Sequence, residues 1–348
     1  MKRPMLLPLV PLYSACLALR EFGHRRGWER TRWLSYPVIS IGNLSTGGSG
    51  KTPLAITLAR LLSARGFHVD VLSRGYGRRG REPARVKPDG TAEEFGDEPL
   101  LIARASDVPV YVSAERFDAG QLAEQEFIDQ GGELSASQVP LIHILDDGFQ
   151  HRQLNRDLDI LLVNREDWHD RLLPAGNLRE SKQAATRATA LAIPAADSGF
   201  EDELRDWGWT GPVWRFRRRM ETPKLNGPVA AFCGIARPDQ FFAGLKSEGQ
   251  SLASKTAFRD HHRYTVRDIE RLVRTARAAS ASAFITTEKD EVRLGHLLSR
   301  FPSSLPLRTA RLEVEFEDEQ RVLEWLRDEL SGTHLAQAHR DLVRGNAP

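Results

Sequence analysis

The stretch from Tyr36 to Leu62 constrains the fold more than any other part of the 348-residue chain. Tyr36-Pro37-Val38-Ile39-Ser40-Ile41-Gly42 reads as a short buried strand, rich in β-branched residues and stopped by glycine. Asn43-Leu44-Ser45-Thr46-Gly47-Gly48-Ser49-Gly50-Lys51-Thr52 follows. Leu54, Leu58, Leu61 and Leu62 then recur at helical spacing, with Pro53 tolerated in the first turn. Strand, glycine-rich turn and helix are the context that a phosphate-binding loop requires. Glycines let backbone N–H groups converge on phosphate oxygens, and the helix amino end adds partial positive charge. Ser45, Thr46, Gly47, Gly48, Ser49 and Gly50 would line a nucleotide's phosphates. Lys51 would reach the β- and γ-phosphates of ATP, and the Thr52 hydroxyl would bind Mg²⁺. The strict pattern wants glycine where this chain has Ser45; Gly47 and Gly48 supply the flexibility instead.

The partner motif is an apolar strand ending in an acid. Val139-Pro140-Leu141-Ile142-His143-Ile144-Leu145-Asp146-Asp147-Gly148 fits, with Asp146 or Asp147 holding Mg²⁺ directly or through water. Taken alone, the same residues also read as a turn capping the next element. Further strands are expected at Phe67–Leu72, Val108–Val112, Leu158–Val163 and Thr189–Ile193, with helical stretches between several of them. This alternation predicts an α/β fold: a P-loop NTPase-type, mostly parallel sheet with helices on both faces.

Domain organisation follows composition. Residues 1–33 read as a membrane-associated segment and 34–210 as the phosphate-loop domain. Trp207, Trp209 and Trp214, among Pro212, Pro223 and Pro228, suggest a crossover at 211–227. A smaller α/β domain spans 228–331, with strands at Pro228–Cys233 and Ala283–Thr287, and a loose tail covers 332–348.

At the amino end, Lys2 and Arg3 precede an apolar stretch from Met5 to Leu19, which Arg20, Arg25, Arg26, Arg30 and Arg32 follow. Fifteen helical residues would span only ~22 Å, short of a hydrocarbon core, and Pro8 and Pro11 interrupt the first half. A helix lying in the membrane interface is the preferred reading. A secretory signal and a helix packed on the protein's own core are the alternatives.

Charge and cysteine content exclude other classes. Lys plus Arg is 49 against 47 for Asp plus Glu, a balance that does not call for nucleic acid as partner. Hydrophobic residues make up 41%, too few for a polytopic membrane protein. Cys16 and Cys233 lie far apart, which excludes a disulfide scaffold and favours a reducing compartment.

Several polar motifs should gather beyond the carboxyl ends of the strands, where ligands bind on such sheets. Ser73-Arg74-Gly75-Tyr76-Gly77-Arg78 offers glycines for close approach and arginines for an anionic substrate, or else a solvated basic loop. Asp97 or Glu98, in Gly96-Asp97-Glu98-Pro99, could accept a proton from an attacking hydroxyl or cap a helix. Leu173-Pro174-Ala175-Gly176-Asn177-Leu178-Arg179-Glu180 is a loop with an Arg-Glu pair. In Asp260-His261-His262, adjacent histidines point in different directions, a poor geometry for one metal. In a cleft between domains, one imidazole near Asp97 could tune a catalytic base. Thr287-Glu288-Lys289-Asp290 approaches a guanine-reading motif but puts lysine in the wrong slot, which weakens the rival reading of a GTP-driven switch. A non-enzymatic lipid-binding module would not need Lys51 and Asp146.

Together these motifs resemble the tetraacyldisaccharide 4'-kinase family, the lipid A 4'-kinases of Gram-negative bacteria. The resemblance rests on the phosphate loop, Ser73-Arg74-Gly75-Tyr76-Gly77, Gly96-Asp97-Glu98-Pro99, Asp146-Asp147-Gly148-Phe149-Gln150-His151, Arg156-Asp157-Leu158, Leu173-Pro174-Ala175-Gly176, Leu178-Arg179-Glu180, Asp260-His261 and Thr286-Thr287-Glu288-Lys289-Asp290, in family order from about residue 36 to 290. Asn177 and Ser181 depart from it, standing where the family usually has proline. The resemblance implies transfer of the γ-phosphate of ATP to the 4'-hydroxyl of a tetraacyldisaccharide 1-phosphate. It implies attachment to the cytoplasmic face of the inner membrane, with no obligate protein partner. It implies Asp97 as general base, paired with His261, and substrate contacts from Asn43, Arg74, Tyr76, Gln150, His151, Arg179 and Glu180.

Overall fold

The computed structural model describes residues 3–47, 50–132 and 141–343, with side chains through residue 332. Gly48 and Ser49 of the expected phosphate loop therefore lie outside the described residues, as do Val139 and Pro140 of the expected acid-tipped strand.

The first half of the chain runs α1 (Val10–Arg25), β1 (Val38–Asn43), α2 (Lys51–Ala64), β2 (His68–Ser73), β3 (Ala84–Arg85), α3 (Ala92–Phe95), α4 (Asp97–Ser106), β4 (Val110–Val112), α5 (Arg116–Asp129) and β5 (Leu141–Asp146). Then come β6 (Leu158–Leu162), α6 (Arg165–Trp168), β7 (Ala190–Pro194), α7 (Phe200–Asp206), β8 (Val213–Glu221), β9 (Val229–Cys233) and α8 (Pro238–Ser247). The chain ends with β10 (Leu252–Ala257), α9 (Val266–Ala278), β11 (Ala283–Thr287), α10 (Glu288–Leu294), β12 (Leu307–Phe316) and α11 (Glu319–Val343).

All twelve strands join one sheet in the order β10-β9-β11-β12-β8-β7-β6-β1-β5-β2-β4-β3. Every pairing is parallel except β8–β12 and β3–β4. The sheet thus holds two parallel blocks fused at the antiparallel β8–β12 seam. Strands β1, β5, β6 and β9 bury both faces, so they read as continuous apolar runs whose alternate residues serve different cores. Ile39, Ile41, Val71, Ile144 and Ile160 face the layer filled by α2 and α4; Val38, Leu72 and Leu145 face α5. In β9 the same alternation sends Phe232 to one side and Ala231 and Cys233 to the other.

The expected crossover at 211–227 is corrected. It contains β8, which pairs with β7 in parallel and with β12 in antiparallel register from Phe316↔Phe216 to Arg311↔Glu221. Arginines hide this strand: Arg215, Arg217 and Arg219 project outward while Trp214 and Phe216 are buried. Trp214 packs edge-on against Trp325 at 5.4 Å and Phe316 at 5.7 Å between centroids. The carboxyl-terminal region is corrected too. Val322, Leu323, Leu326 and Leu330 of α11 pack into the α2 core, and the helical backbone continues to Val343, past the expected start of a loose tail.

The amino-terminal segment is longer than expected. A 3₁₀ turn over Pro4–Leu9 runs into α1, giving a 22-residue helical stretch with a mean hydropathy of 1.4 in its most apolar window, long and apolar enough to cross a membrane. Pro8 sits in the 3₁₀ turn and Pro11 in the first turn of α1, where a missing N–H costs little. The helix does not pack on the core: only Gly23 in α1 is buried.

Trp214→Ala should therefore lower unfolding free energy by ~3–5 kcal/mol in urea titrations, since it empties the seam between β8 and α11. A loss below ~1 kcal/mol would contradict that packing.

Candidate active site

β1 delivers Asn43 to the carboxyl edge of the sheet, and α2 begins at Lys51 after Gly50, whose φ is 93°. Gly42 is required here: a Cβ would lie 2.4 Å from Cβ of Phe149, in the turn after β5. Lys51 Nζ donates to Asn43 Oδ1 at 2.9 Å and pairs with Asp147 Oδ1 at 3.1 Å. From Asn43 a chain of hydrogen bonds leads outward. Asn43 Nδ2 donates to Ser45 Oγ at 3.0 Å, Ser45 Oγ donates to Asp167 Oδ2 at 2.7 Å, and Arg237 Nη2 donates to Asp167 Oδ1 at 2.7 Å. This accounts for serine at position 45, whose hydroxyl ties the loop to α6. Asn177 needs no proline: its carbonyl accepts from Thr46 N at 2.8 Å, and its own N–H donates to Asp170 at 3.1 Å.

Asp146 ends β5, paired in register with Ile41. Its Oδ1 is buried with no hydrogen-bond partner. Burial, with the charges of Glu98 and Asp147, pushes its carboxyl up to about 7. Asp147 is half-buried, and Lys51 and Arg179 hold its carboxyl below the ordinary value. Arg179 Nη1 lies 3.1 Å from Asp147 Oδ2 and 3.2 Å from Gln150 Oε1, and Gln150 Nε2 donates to the Asn43 carbonyl at 2.9 Å. The donor set fits Mg²⁺. An orphaned carboxylate oxygen beside a second acid calls for a cation, and Mg²⁺ typically takes one or two carboxylates and completes its shell with water and phosphate. Among the described residues no three His, Cys, Asp or Glu side chains converge on a dedicated metal cage.

Asp97 opens α4. Gly96 before it has φ 93°, and a Cβ there would come within 3.0 Å of Gly75, so the two glycine loops pack backbone to backbone and fix Asp97 beside Tyr76. Asp97 Oδ2 accepts from His261 Nδ1 at 2.9 Å and from Arg293 Nε at 2.6 Å; Oδ1 accepts from the Glu98 amide at 3.0 Å. Burial acts to raise this carboxyl, but the donors His261 and Arg293 outweigh it and hold it well below the usual range. The same hydrogen bond raises the His261 imidazole above its ordinary value. The Tyr76 ring lies 5.6 Å from that of His261. The next residue, Glu98, takes Lys289 Nζ at 2.6 Å.

The structure separates the two adjacent histidines. His261 adopts φ 55° and turns toward Asp97, whereas His262 stacks on Phe258 at 4.5 Å and bonds Asp268 in the cap of α9. His151 sits among Arg116, Arg156, Arg74 and Arg32; burial first and those charges second push it down to about 3. Arg116, at the start of α5, is buried with its Nε unpartnered, and burial and Arg74 draw it down to about 10. Glu180 is paired with Arg187 at 2.8 Å.

A family model described as tetraacyldisaccharide-1-P 4'-kinase matches residues 2–331. The tetraacyldisaccharide 4'-kinase of Koribacter versatilis is 41% identical over 328 residues, covering 91% of this chain and 96% of that protein. That of Geobacter metallireducens is 38% identical over 316 residues, covering 83% and 87%. The crystal structure of LpxK from Aquifex aeolicus in complex with ATP superposes with a TM-score of 0.70 at 31% identity, covering 94% of this chain and 98% of that one.

The chain belongs to the tetraacyldisaccharide 4'-kinase family. Membership disposes of the guanine-reading alternative, and the geometry agrees. In this tetraacyldisaccharide 4'-kinase family member Lys289 is spent on Glu98, and Asp290 is wholly buried, accepting from Gly234 N, Tyr264 Oη and Thr287 Oγ1. Sequence reasoning missed Arg116, Arg218, Arg237 and Arg293. Arg218 of β8 lies against the phosphate loop: a Cβ on Gly50 would meet its Nη2 at 3.1 Å. Arg116 follows the carboxyl end of β4, where the ligand-edge rule could have found it.

Asp167→Ala should weaken ATP binding about tenfold by titration calorimetry while leaving the melting temperature within a few degrees. An unchanged dissociation constant would mean that the Lys51–Asn43–Ser45–Asp167 chain does not organise the loop.

Proposed function

We propose that the protein transfers the γ-phosphate of ATP to the 4'-hydroxyl of a tetraacylated glucosamine disaccharide 1-phosphate, a step of lipid A biosynthesis. The observation that carries this reading is the presence, within a chain of this family, of both a phosphate loop at Lys51 and a buried Asp97 that holds the accessible His261 ring.

Thr46, Gly47, Gly50 and Lys51 grip the β- and γ-phosphates, with the α2 amino end adding positive charge. Thr52 and Asp146 would hold Mg²⁺; Asp147 holds Lys51 and Arg179 in place. When bound, the metal neutralises charge on the transferring phosphoryl group. The basic pocket of Arg74, Arg116 and neutral His151 suits the substrate's own phosphate. Gln150 bonds both Asn43 and Arg179, and Arg187 holds Glu180, so these four side chains are set in place as contacts for the sugar.

The resemblance implied Asp97 as base. The geometry favours dividing the task. Asp97 already accepts three hydrogen bonds and is a weak proton acceptor, whereas the Nε2 of His261 has no protein partner among the described residues. The sugar hydroxyl gives its proton to Nε2 as its oxygen forms the new P–O bond, the bond from the γ-phosphorus to the bridging oxygen breaks, and ADP leaves. Asp97 orients the ring through Nδ1 and stabilises the imidazolium. Tyr76 flanks it.

The acyl chains resist leaving the bilayer, at about 0.8 kcal/mol per CH₂ exposed. The amino-terminal helix answers this. Met5, Leu12 and Leu19 are exposed, while Tyr13 Oη donates to the Arg179 carbonyl at 2.9 Å and Arg20 Nη2 to the Gln150 carbonyl at 2.6 Å. One flank thus docks on the loops that hold Asp147, and the apolar flank faces outward. It seats the enzyme as a peripheral or monotopic protein on the cytoplasmic face of the inner membrane, where ATP is present.

Purified protein should consume Mg·ATP only when the acylated disaccharide is supplied in detergent micelles. Nucleotide turnover indifferent to the lipid, or a preference for GTP, would favour a switch instead. Lys51→Ala should lose most turnover, and His261→Ala should lower kcat about 10²–10⁴-fold with little change in ATP affinity. Because His261 must be neutral to accept a proton and its pKa is raised, kcat should fall with acid through a limb above ~6.5. Deleting residues 1–20 should release the protein from membranes; a truncated form that still sediments with them would place attachment elsewhere.

A further inference from the structure

We propose that Arg293 is a third, positioning member of the dyad: its guanidinium shares the Oδ2 atom of Asp97 with the His261 imidazole and so sets how strongly Asp97 can hold a proton on that ring. This rests on the reading that His261 accepts the hydroxyl proton.

The geometry is specific. Nε and Nη2 of Arg293 each approach Asp97 Oδ2 to 2.6 Å, and Nη2 lies 3.2 Å from His261 Nδ1. Only 6% of the side chain is exposed. Its Nη1 bonds the Gly234 carbonyl and reaches Asp290 Oδ1 at 3.3 Å, while Asp290 is itself fixed by Gly234 N, Tyr264 and Thr287. Arg293 is therefore aimed from behind and cannot swing away without breaking a buried network. Docking of α10 on α4 does not require this contact, because Lys289 already clamps Glu98 one residue along. A second cation on the neighbouring carboxylate needs another reason.

Chemistry supplies one. A buried aspartate bonded to a histidine, with no other charge nearby, favours imidazolium, and a histidine protonated at working pH cannot act as base. A cation sharing the same oxygen divides the carboxylate's attraction and repels the imidazolium directly. The other charged groups facing the ring leave this balance to Arg293. Asp260, in the same loop, favours imidazolium; Glu98 is neutralised by Lys289; Asp290 is saturated; Tyr76 contributes an aromatic ring.

The test is the pH dependence of kcat in the full-length enzyme with saturating Mg·ATP and micellar lipid, for wild type, Arg293→Gln and Arg293→Lys. Nuclear magnetic resonance titration of the His261 ring runs in parallel as a readout independent of turnover. The acid limb and the ring titration should both move up by about one pH unit in Arg293→Gln, with kcat recovering on the alkaline side. Arg293→Lys should move them in the same direction by less, because an ammonium cannot serve Asp97, Asp290 and Gly234 together. A limb and ring titration left at the wild-type pH in any folded variant, with kcat lowered equally across the range, would overturn the proposal and leave Arg293 a structural role. A wild-type enzyme with no acid limb near neutrality would instead overturn the assignment of His261 as base.

Discussion

One carboxylate oxygen, Oδ2 of Asp97, joins the two halves of the molecule. It opens α4 on the phosphate-loop side of the sheet and accepts from His261 and Arg293, which come from the block beyond the β8–β12 seam. A buried carboxylate is costly unless donors surround it. Here the donors come from elements far apart in sequence, so the charge is stable only when both blocks are assembled. The same contact raises the His261 imidazole and turns its Nε2 away from the protein. Assembly of the fold and placement of the His261 ring are thus one event.

The phosphate loop depends on a similar bridge. Lys51, Asn43, Ser45 and Asp167 belong to the first block, and Arg237 to the second. Two polar chains, one ending at Lys51 and one at His261, therefore cross the seam. Between them Asp146 carries the unpartnered oxygen that suits a metal. The side chains proposed to hold nucleotide and metal and to accept the proton are organised by charges that neutralise one another before any ligand arrives, a form of preorganisation.

Much of this was legible in the sequence where local chemistry dictates structure. The strand-turn-helix at Lys51, the acid tip at Asp146 and the extra parallel strands follow from apolar runs and glycine stops. The strands β3, β8, β10 and β12 escaped notice; β8 and β12 carry arginine and glutamate on an exposed face, so their alternation is hidden by charge. Trp214, read as a linker marker, is a core residue because α11 returns to cover it. Arg293 and Arg237 could not be singled out, since a lone arginine in a helix or turn has no sequence signature until its partner is known. Family resemblance supplied the Asp97–His261 pairing; the burial and saturation of Asp97 needed coordinates. The apolar amino-terminal segment was visible, but its length was understated, because prolines that seem to break a helix fall where they are tolerated.

A phosphoryl group held at Lys51 is proposed to pass to a sugar hydroxyl borne by a lipid. Proton–phosphorus correlation spectroscopy of the purified lipid product locates the new group directly. A new phosphomonoester coupled to the proton on the 4' carbon of the distal glucosamine, formed in step with ADP, is the result expected. Phosphate appearing only as the free inorganic ion, or on another carbon of the disaccharide, would contradict it.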